Sequence, residues 1–386
     1  MKIKIKLLLM SMSLAAAAAT ATTGHAQDRL KDAVDAAIAP VRTQYGVPGL
    51  IVGVTVNGKH AFYRYGVASR ASGAPVRDDT LFEIGSLTKT FTATLACYAQ
   101  GAGKLDFAAP ASRYIGALRG SVFDRVSALN LGTHTSGLPL FEPDDVTNEA
   151  QLIAYYRRWQ PAQPVGTQRV YSNLGIGLLG MVTAQSLGEP FHEAVQQRLL
   201  PAFGMTHTWL DVPAAHMPDY AQGYDAHDTP LRLHPGVLAD EAYGMRTTAP
   251  DLVRYLDANM GLTALPEPWQ RALACTHTGY YKAAAITQDL VWEQYPWPVT
   301  LATLQSGNGP DMLRKGMPAT AITPPLPPQT DALINKTGST NGFSTYTAFV
   351  PSQKIGVVIL ANKAYPIDAR VRAGYAILTA LAKEKP

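Results

Sequence analysis

Residues 50–56 (LIVGVTV) and 59–65 (KHAFYRY) are two β-rich runs separated only by Asn57-Gly58. Both turn residues tolerate positive φ, so the pattern predicts a tight hairpin. Upstream, Leu30, Val34, Ile38 and Val41 recur at spacings of one helical face, which predicts an amphipathic helix. Pro40 is expected to kink or end that helix, because it lacks an N–H and crowds the preceding turn. The far end of the chain repeats the arrangement. Residues 345–350 and 355–360 flank the turn-like Pro351-Ser352-Gln353-Lys354, and Val371, Tyr375, Leu378 and Leu381 then share a helix face. Between the ends, residues 87–100, 148–159, 174–199 and 249–260 carry helical rather than alternating patterns. The stretch 302–330, rich in Gly and Pro, reads as a long irregular loop.

Hairpins at both ends imply an antiparallel sheet, and the terminal helices are available to cover it. The predicted class is α/β in the broad sense (α+β): an antiparallel sheet flanked by terminal helices, plus an inserted, mainly helical lobe. Residues 27–82 and 245–386 are assigned to the sheet lobe and 83–244 to the helical one, with a binding cleft expected at their seam.

Composition narrows the possibilities. With 16% charged and 47% hydrophobic residues over 386 positions, the chain is neither disordered nor a coiled coil. Lys2, Lys4 and Lys6, a short apolar stretch and small residues up to Ala26 form the three zones of a secretory signal, so residues 1–26 are expected to be removed and the protein to be periplasmic. Those three lysines supply most of the formal +4 charge. The mature chain is therefore nearly neutral, which gives no case for nucleic acid or for a membrane surface after cleavage. No heptad or apolar stripe argues against a monomer. Cys97 and Cys275 are either a disulfide, as an oxidising compartment allows, or buried free thiols, since Cys97 falls on an apolar helix face.

Chemistry concentrates in three places. Ser86-Leu87-Thr88-Lys89 opens a helical run, and positions i and i+3 of a helix share a face, so the Lys89 amine is expected beside the Ser86 hydroxyl. A hydroxyl becomes a good nucleophile when a neighbouring base takes its proton, and the helix N-terminus favours the developing negative charge. Tyr171-Ser172-Asn173 lies in a polar loop ahead of another helix; a phenol carries protons well only if nearby cations lower its pKa. Lys336-Thr337-Gly338-Ser339 follows an apolar run and is placed at a strand's start, where it suits a wall for an anionic, amide-bearing ligand. The nine histidines are scattered, with His134, His207 and His277 each alone between threonines. Neither a zinc site nor any cofactor is expected. Gly85-Ser86 lacks the second glycine of a G-x-S-x-G elbow.

Ser86-x-x-Lys89, Tyr171-x-Asn173 and Lys336-Thr337-Gly338 together resemble the three motifs of the penicillin-recognising serine enzymes. The Tyr in second place, with residues 238–244, Trp292-Glu293 and 360–366, is similar to class C (AmpC-type) β-lactamases over essentially the whole mature chain. The resemblance implies a β-lactamase/transpeptidase-like fold and a serine hydrolase that opens small-molecule β-lactams through a Ser86 acyl-enzyme, conferring antibiotic resistance. It implies that Lys89, Tyr171 and Lys336 share the proton work and that the Ser86 and Ser339 N–H groups form an oxyanion hole. It further implies that Asn173 meets the acylamide, that Lys336, Thr337 and Arg370 meet the carboxylate, and that Tyr243 walls the side-chain pocket. Two positions depart from the family: Phe141 stands where Gln is common, and Ile367 where Asn is common. The alternatives are a D,D-peptidase or esterase of the same fold, or a penicillin-binding sensor that acylates and stalls.

Overall fold

A computed structural model describes residues 28–383, so the predicted signal at 1–26 lies outside the described residues. Ten strands form one antiparallel sheet. Its order is Lys59–Gly66, Gly49–Val56, Ile355–Ala361, Ser344–Val350, Ala332–Ser339, Glu293–Pro296, Ile286–Gln288, Gly279–Ala283, Met317–Leu326 and Gln168–Arg169. The first hairpin closes at Asn57 and Gly58, both at positive φ, with Val56 opposite Lys59. Strands from the two ends of the chain therefore pair near one edge of the sheet, where Leu50 lies opposite Ala361.

The period of two along these strands divides the core. Leu50, Val52, Val54, Val357 and Ile359 face one layer with Val34, Ile38, Val371 and Leu378 of the terminal helices. Ile51, Val358 and Leu360 face the opposite layer with Val253 and Leu256 of the Ala249–Asn259 helix. The architecture is thus α+β with a sheet covered on both faces. The Thr88–Gly101 helix packs in that second layer against Asn173–Leu187 and Glu267–Thr276. Among the described residues no helix is long and apolar enough to cross a membrane.

Three local expectations need correction. The first helix continues through Pro40 and spans 28–45. Its buried face, Val34, Ile38 and Val41, holds the backbone in register, and the Thr43 hydroxyl donates to the Ala39 carbonyl at 2.9 Å. The run 174–199 is not one helix: Asn173–Leu187 stops at Gly188, in the left-handed region, and a new helical segment begins at Phe191 after Pro190. Finally, 302–330 is largely ordered into regular structure. The Thr300 hydroxyl caps Leu301–Gly307, Pro310 opens Pro310–Arg314, and Met317–Leu326 pairs with Gly279–Ala283. Prolines hid this strand, but their missing N–H groups are tolerated near a sheet edge and beside the register shift between Ala321 and Leu326.

Cys97 and Cys275 form a disulfide, their Cα atoms 5.9 Å apart, tying the Thr88–Gly101 helix to Glu267–Thr276. Because the bridge spans 178 residues, loop-closure entropy gives an upper bound of about 5 kcal/mol to its stabilisation. Reduction, or the Cys97→Ser/Cys275→Ser pair, is expected to lower the urea midpoint clearly. Catalytic turnover at 25 °C should change little, since neither sulfur lines the cleft. Superimposable urea curves with and without dithiothreitol would contradict this.

Candidate active site

Ser86 sits in the short turn Gly85–Leu87 that leads into the Thr88–Gly101 helix. The turn presses against the end of the Ala332–Ser339 strand. A Cβ on Gly338 would lie 1.9 Å from the Ile84 carbonyl oxygen, and one on Gly85, at φ +51°, would lie 2.4 Å from the Ser339 carbonyl oxygen. Only glycines permit this apposition, which brings Ser86 next to Ser339. Lys336-Thr337-Gly338 therefore lies at the end of its strand rather than at its start.

The predicted helical pairing is present. Lys89 is fully buried, and its ammonium donates to Ser86 Oγ at 3.1 Å and to the Ala242 carbonyl at 2.7 Å. Burial, opposed by Tyr171 and assisted by Lys336, brings this amine down to about 8. The Tyr171 ring is surrounded by cations: Lys336 Nζ stands 5.0 Å from its centroid, Lys89 Nζ 5.3 Å and Arg169 Cζ 5.6 Å. Burial alone would raise this phenol. Lys336 and then Lys89 outweigh it and bring the group down to about 8. Two proton carriers thus titrate in one range beside a serine hydroxyl, the arrangement a shared-proton relay needs.

The surrounding hollow measures about 380 Å³ and is lined by Ser86, Tyr171, Asn173, Tyr243, Thr337 and Ser339 among others. Asn173 begins its helix immediately after the capping Ser172, and its Oδ1 is buried without a partner. Phe141 (63% exposed) and Ile367, the two departures noted in the sequence, both line the same hollow. Arg370 does not. It is buried beneath the strand, where its guanidinium donates to the Gly338, Thr345 and Tyr365 carbonyls and to Ser339 Oγ. Those bonds occupy it with holding the strand end, so its place is that of a support and not of a wall.

Three contributors carry no signal in the sequence. The Ala242 carbonyl is a backbone group at the C-terminal end of the short, distant Ala239–Ala242 helix. Arg169 is buried and bonded to Gln288 Oε1 at 2.6 Å, the Met312 carbonyl at 2.8 Å and Glu293 Oε1 at 2.5 Å. His134 packs its ring 4.4 Å from that of Tyr171. Among the described residues no group of three or more His, Cys, Asp or Glu side chains is placed to hold a metal ion.

A serine, a buried amine and a cation-flanked phenol at the end of a central strand of an antiparallel sheet define a serine acyl-transfer enzyme of the penicillin-recognising type. Residues 34–382 match the family model described as Beta-lactamase. A beta-lactamase of Providencia stuartii is 50% identical over 345 residues, covering 89% of this chain and 90% of that protein. A solved class C beta-lactamase in complex with cefoxitin is 53% identical, with a TM-score of 0.89 over 91% of this chain and 99% of that one. A structure titled D-alanine carboxypeptidase AmpC from Burkholderia cenocepacia is 52% identical, with a TM-score of 0.87 over 92% and 99%. The chain belongs to the β-lactamase family, in its class C serine branch.

Proposed function

We propose that this chain is a periplasmic β-lactamase that opens the four-membered ring of penicillins and cephalosporins through an ester on Ser86. The observation that carries the proposal is the 3.1 Å contact of Lys89 with Ser86 Oγ beside a phenol whose pKa two lysines have lowered. In acylation, Ser86 Oγ bonds to the lactam carbonyl carbon while its proton passes to the Lys89–Tyr171 pair. The ring C–N bond then breaks and that proton is delivered to the departing nitrogen. In deacylation a water attacks the ester carbonyl, gives up its proton near Tyr171, and Ser86 is restored. The N–H groups of Ser86 and Ser339, neighbours across the glycine contact, hold the carbonyl oxygen as it becomes negative.

Asn173 supplies an amide for the acylamino group of the drug. Lys336 and Thr337 meet its carboxylate, with Arg370 fixing the strand that carries them. Tyr243 bounds the side-chain pocket, and Phe141 offers an apolar surface where an amide is usual. The disulfide and the residues 1–26 both support export to an oxidising compartment.

The test is a steady-state panel of benzylpenicillin, a cephalosporin and an acyl-D-Ala-D-Ala peptide, run on protein from the periplasmic fraction. Its first residue should be Gln27. Continued hydrolysis over many enzyme equivalents of both lactams is expected, with the peptide much slower. A single equivalent of acylation followed by arrest would identify a penicillin-binding sensor instead. Preference for the peptide would identify a D,D-peptidase.

A further inference from the structure

The buried Tyr171 hydroxyl interacts with Ser86 and Lys89, the groups with which it exchanges protons. The ring and the backbone on either side are held from elsewhere. One residue does both. His134 accepts the Val170 N–H on its carbonyl oxygen at 2.8 Å and the Ser172 N–H on Nδ1 at 3.2 Å, while its ring lies against the intervening Tyr171. It achieves this at φ +58°, a left-handed conformation uncommon outside glycine. Such a conformation persists only where the surroundings enforce it, and it is a pointer to function.

We propose that His134, as a neutral imidazole, is the positioning residue that fixes the Tyr171 phenol between Lys89 and Lys336. The Ser172 N–H requires an unprotonated Nδ1, so the ring proton resides on Nε2, which has no acceptor among the described residues. A protonated ring would lose that bond and add a further positive charge to Arg169, Lys89 and Lys336. Burial, followed by those three cations, keeps the imidazole well below its ordinary pKa. Glu293, which also acts on Tyr171, is bonded to Arg169 and offsets part of this field. The neutral ring is what permits a histidine here at all.

The inference rests on the place given to Tyr171 in the proton path, and a double-mutant cycle separates the two. His134→Phe keeps a ring and removes the acceptor. It is expected to lower kcat for a chromogenic cephalosporin by about tenfold to a hundredfold, the scale of a misplacement near 1 Å, with KM much less affected. His134→Asn tolerates left-handed backbone and offers Oδ1 to the Ser172 N–H, so it should recover part of that loss. In a Tyr171→Phe background, His134→Phe should cost less than about twofold, because the group it positions is already gone. An equal loss in both backgrounds, or wild-type kcat in His134→Phe, would overturn the proposal. If Tyr171→Phe itself retains full activity, the proton path is misassigned and the positioning argument goes with it.

Nitrogen-15 NMR of the wild-type enzyme provides a readout that does not depend on a variant folding. His134 should show bare Nδ1 and protonated Nε2 from pH 8 down to pH 5. The opposite tautomer, or protonation within that range, would refute it.

Discussion

Ser86→Ala is expected to reduce hydrolysis of a chromogenic cephalosporin by roughly four to six orders of magnitude, the scale on which serine hydrolases lose activity with their nucleophile. The Ser86 hydroxyl receives the Lys89 proton donor at 3.1 Å, opens on the hollow, and is adjacent to the Ser339 end of the strand. Among the described residues the other hydroxyls close to this site are differently placed. Tyr171 is held away from solvent, and Ser339 Oγ accepts from Arg370 at 2.9 Å. Removing one partly exposed oxygen leaves Lys89 bonded to Ala242, so the variant should fold and melt close to the parent. Intact-protein mass spectrometry should show an acyl adduct on the parent when deacylation is quenched, and none on Ser86→Ala. A variant that still turned over the cephalosporin at more than about one part in a thousand would place the nucleophile elsewhere.

Much of this site was legible because its chemistry follows local periodicity. Ser86 and Lys89 share a helix face whatever surrounds them, and Tyr171-Ser172-Asn173 reads as a polar loop ahead of a helix, which begins at Asn173 with Ser172 as its cap. The terminal hairpins were equally plain, since Asn57-Gly58 specifies its turn and the flanking runs alternate between two cores. What stayed hidden depends on contacts between distant segments. Nothing near Ala242 announces that its carbonyl will receive a buried amine, and nothing near His134 announces its conformation. Arg370 shows the opposite failure. The family resemblance put its guanidinium on the ligand's carboxylate, whereas the sheet places it underneath, where it donates to the Gly338, Thr345 and Tyr365 carbonyls. Long charged side chains at the back of a site are often read in sequence as its front, because the register that decides between them is tertiary. The strand Met317–Leu326 was missed for a related reason: its prolines break the local pattern, and only pairing with Gly279–Ala283 makes it a strand.

The close approach at Gly338 links the fold to the chemistry. Ser86 and Lys89 come from a turn and the helix it opens, Lys336 from a sheet strand and Tyr171 from a loop, so their spacing depends on how tightly helix and sheet meet. Two glycines set that distance, and Arg370 anchors the strand from behind. Precision at the serine is therefore a property of the packed interface and not of any one motif.

Lys89→Ala and Lys336→Ala should both cripple the enzyme, and the response to pH should tell their roles apart. Lys89 is the amine in contact with Ser86, and with a pKa of about 8 roughly a tenth of it is unprotonated at pH 7. Removing it deletes a member of the activating unit, so a loss of about three to five orders of magnitude in kcat/KM is expected. Raising the pH should not restore it. Lys336 lowers both Tyr171 and Lys89 by its charge. Its removal leaves both proton carriers in place, with the pKa of each shifted upward. Because the active form is the less protonated one, the acid limb of kcat/KM should move to higher pH. Activity near neutrality falls about tenfold for each unit of that movement and returns in part towards pH 10. A Lys336→Ala profile whose acid limb coincides with that of the parent would show that the lysine acts only on the substrate carboxylate. Full recovery of Lys89→Ala at high pH would show that Tyr171 alone activates the serine.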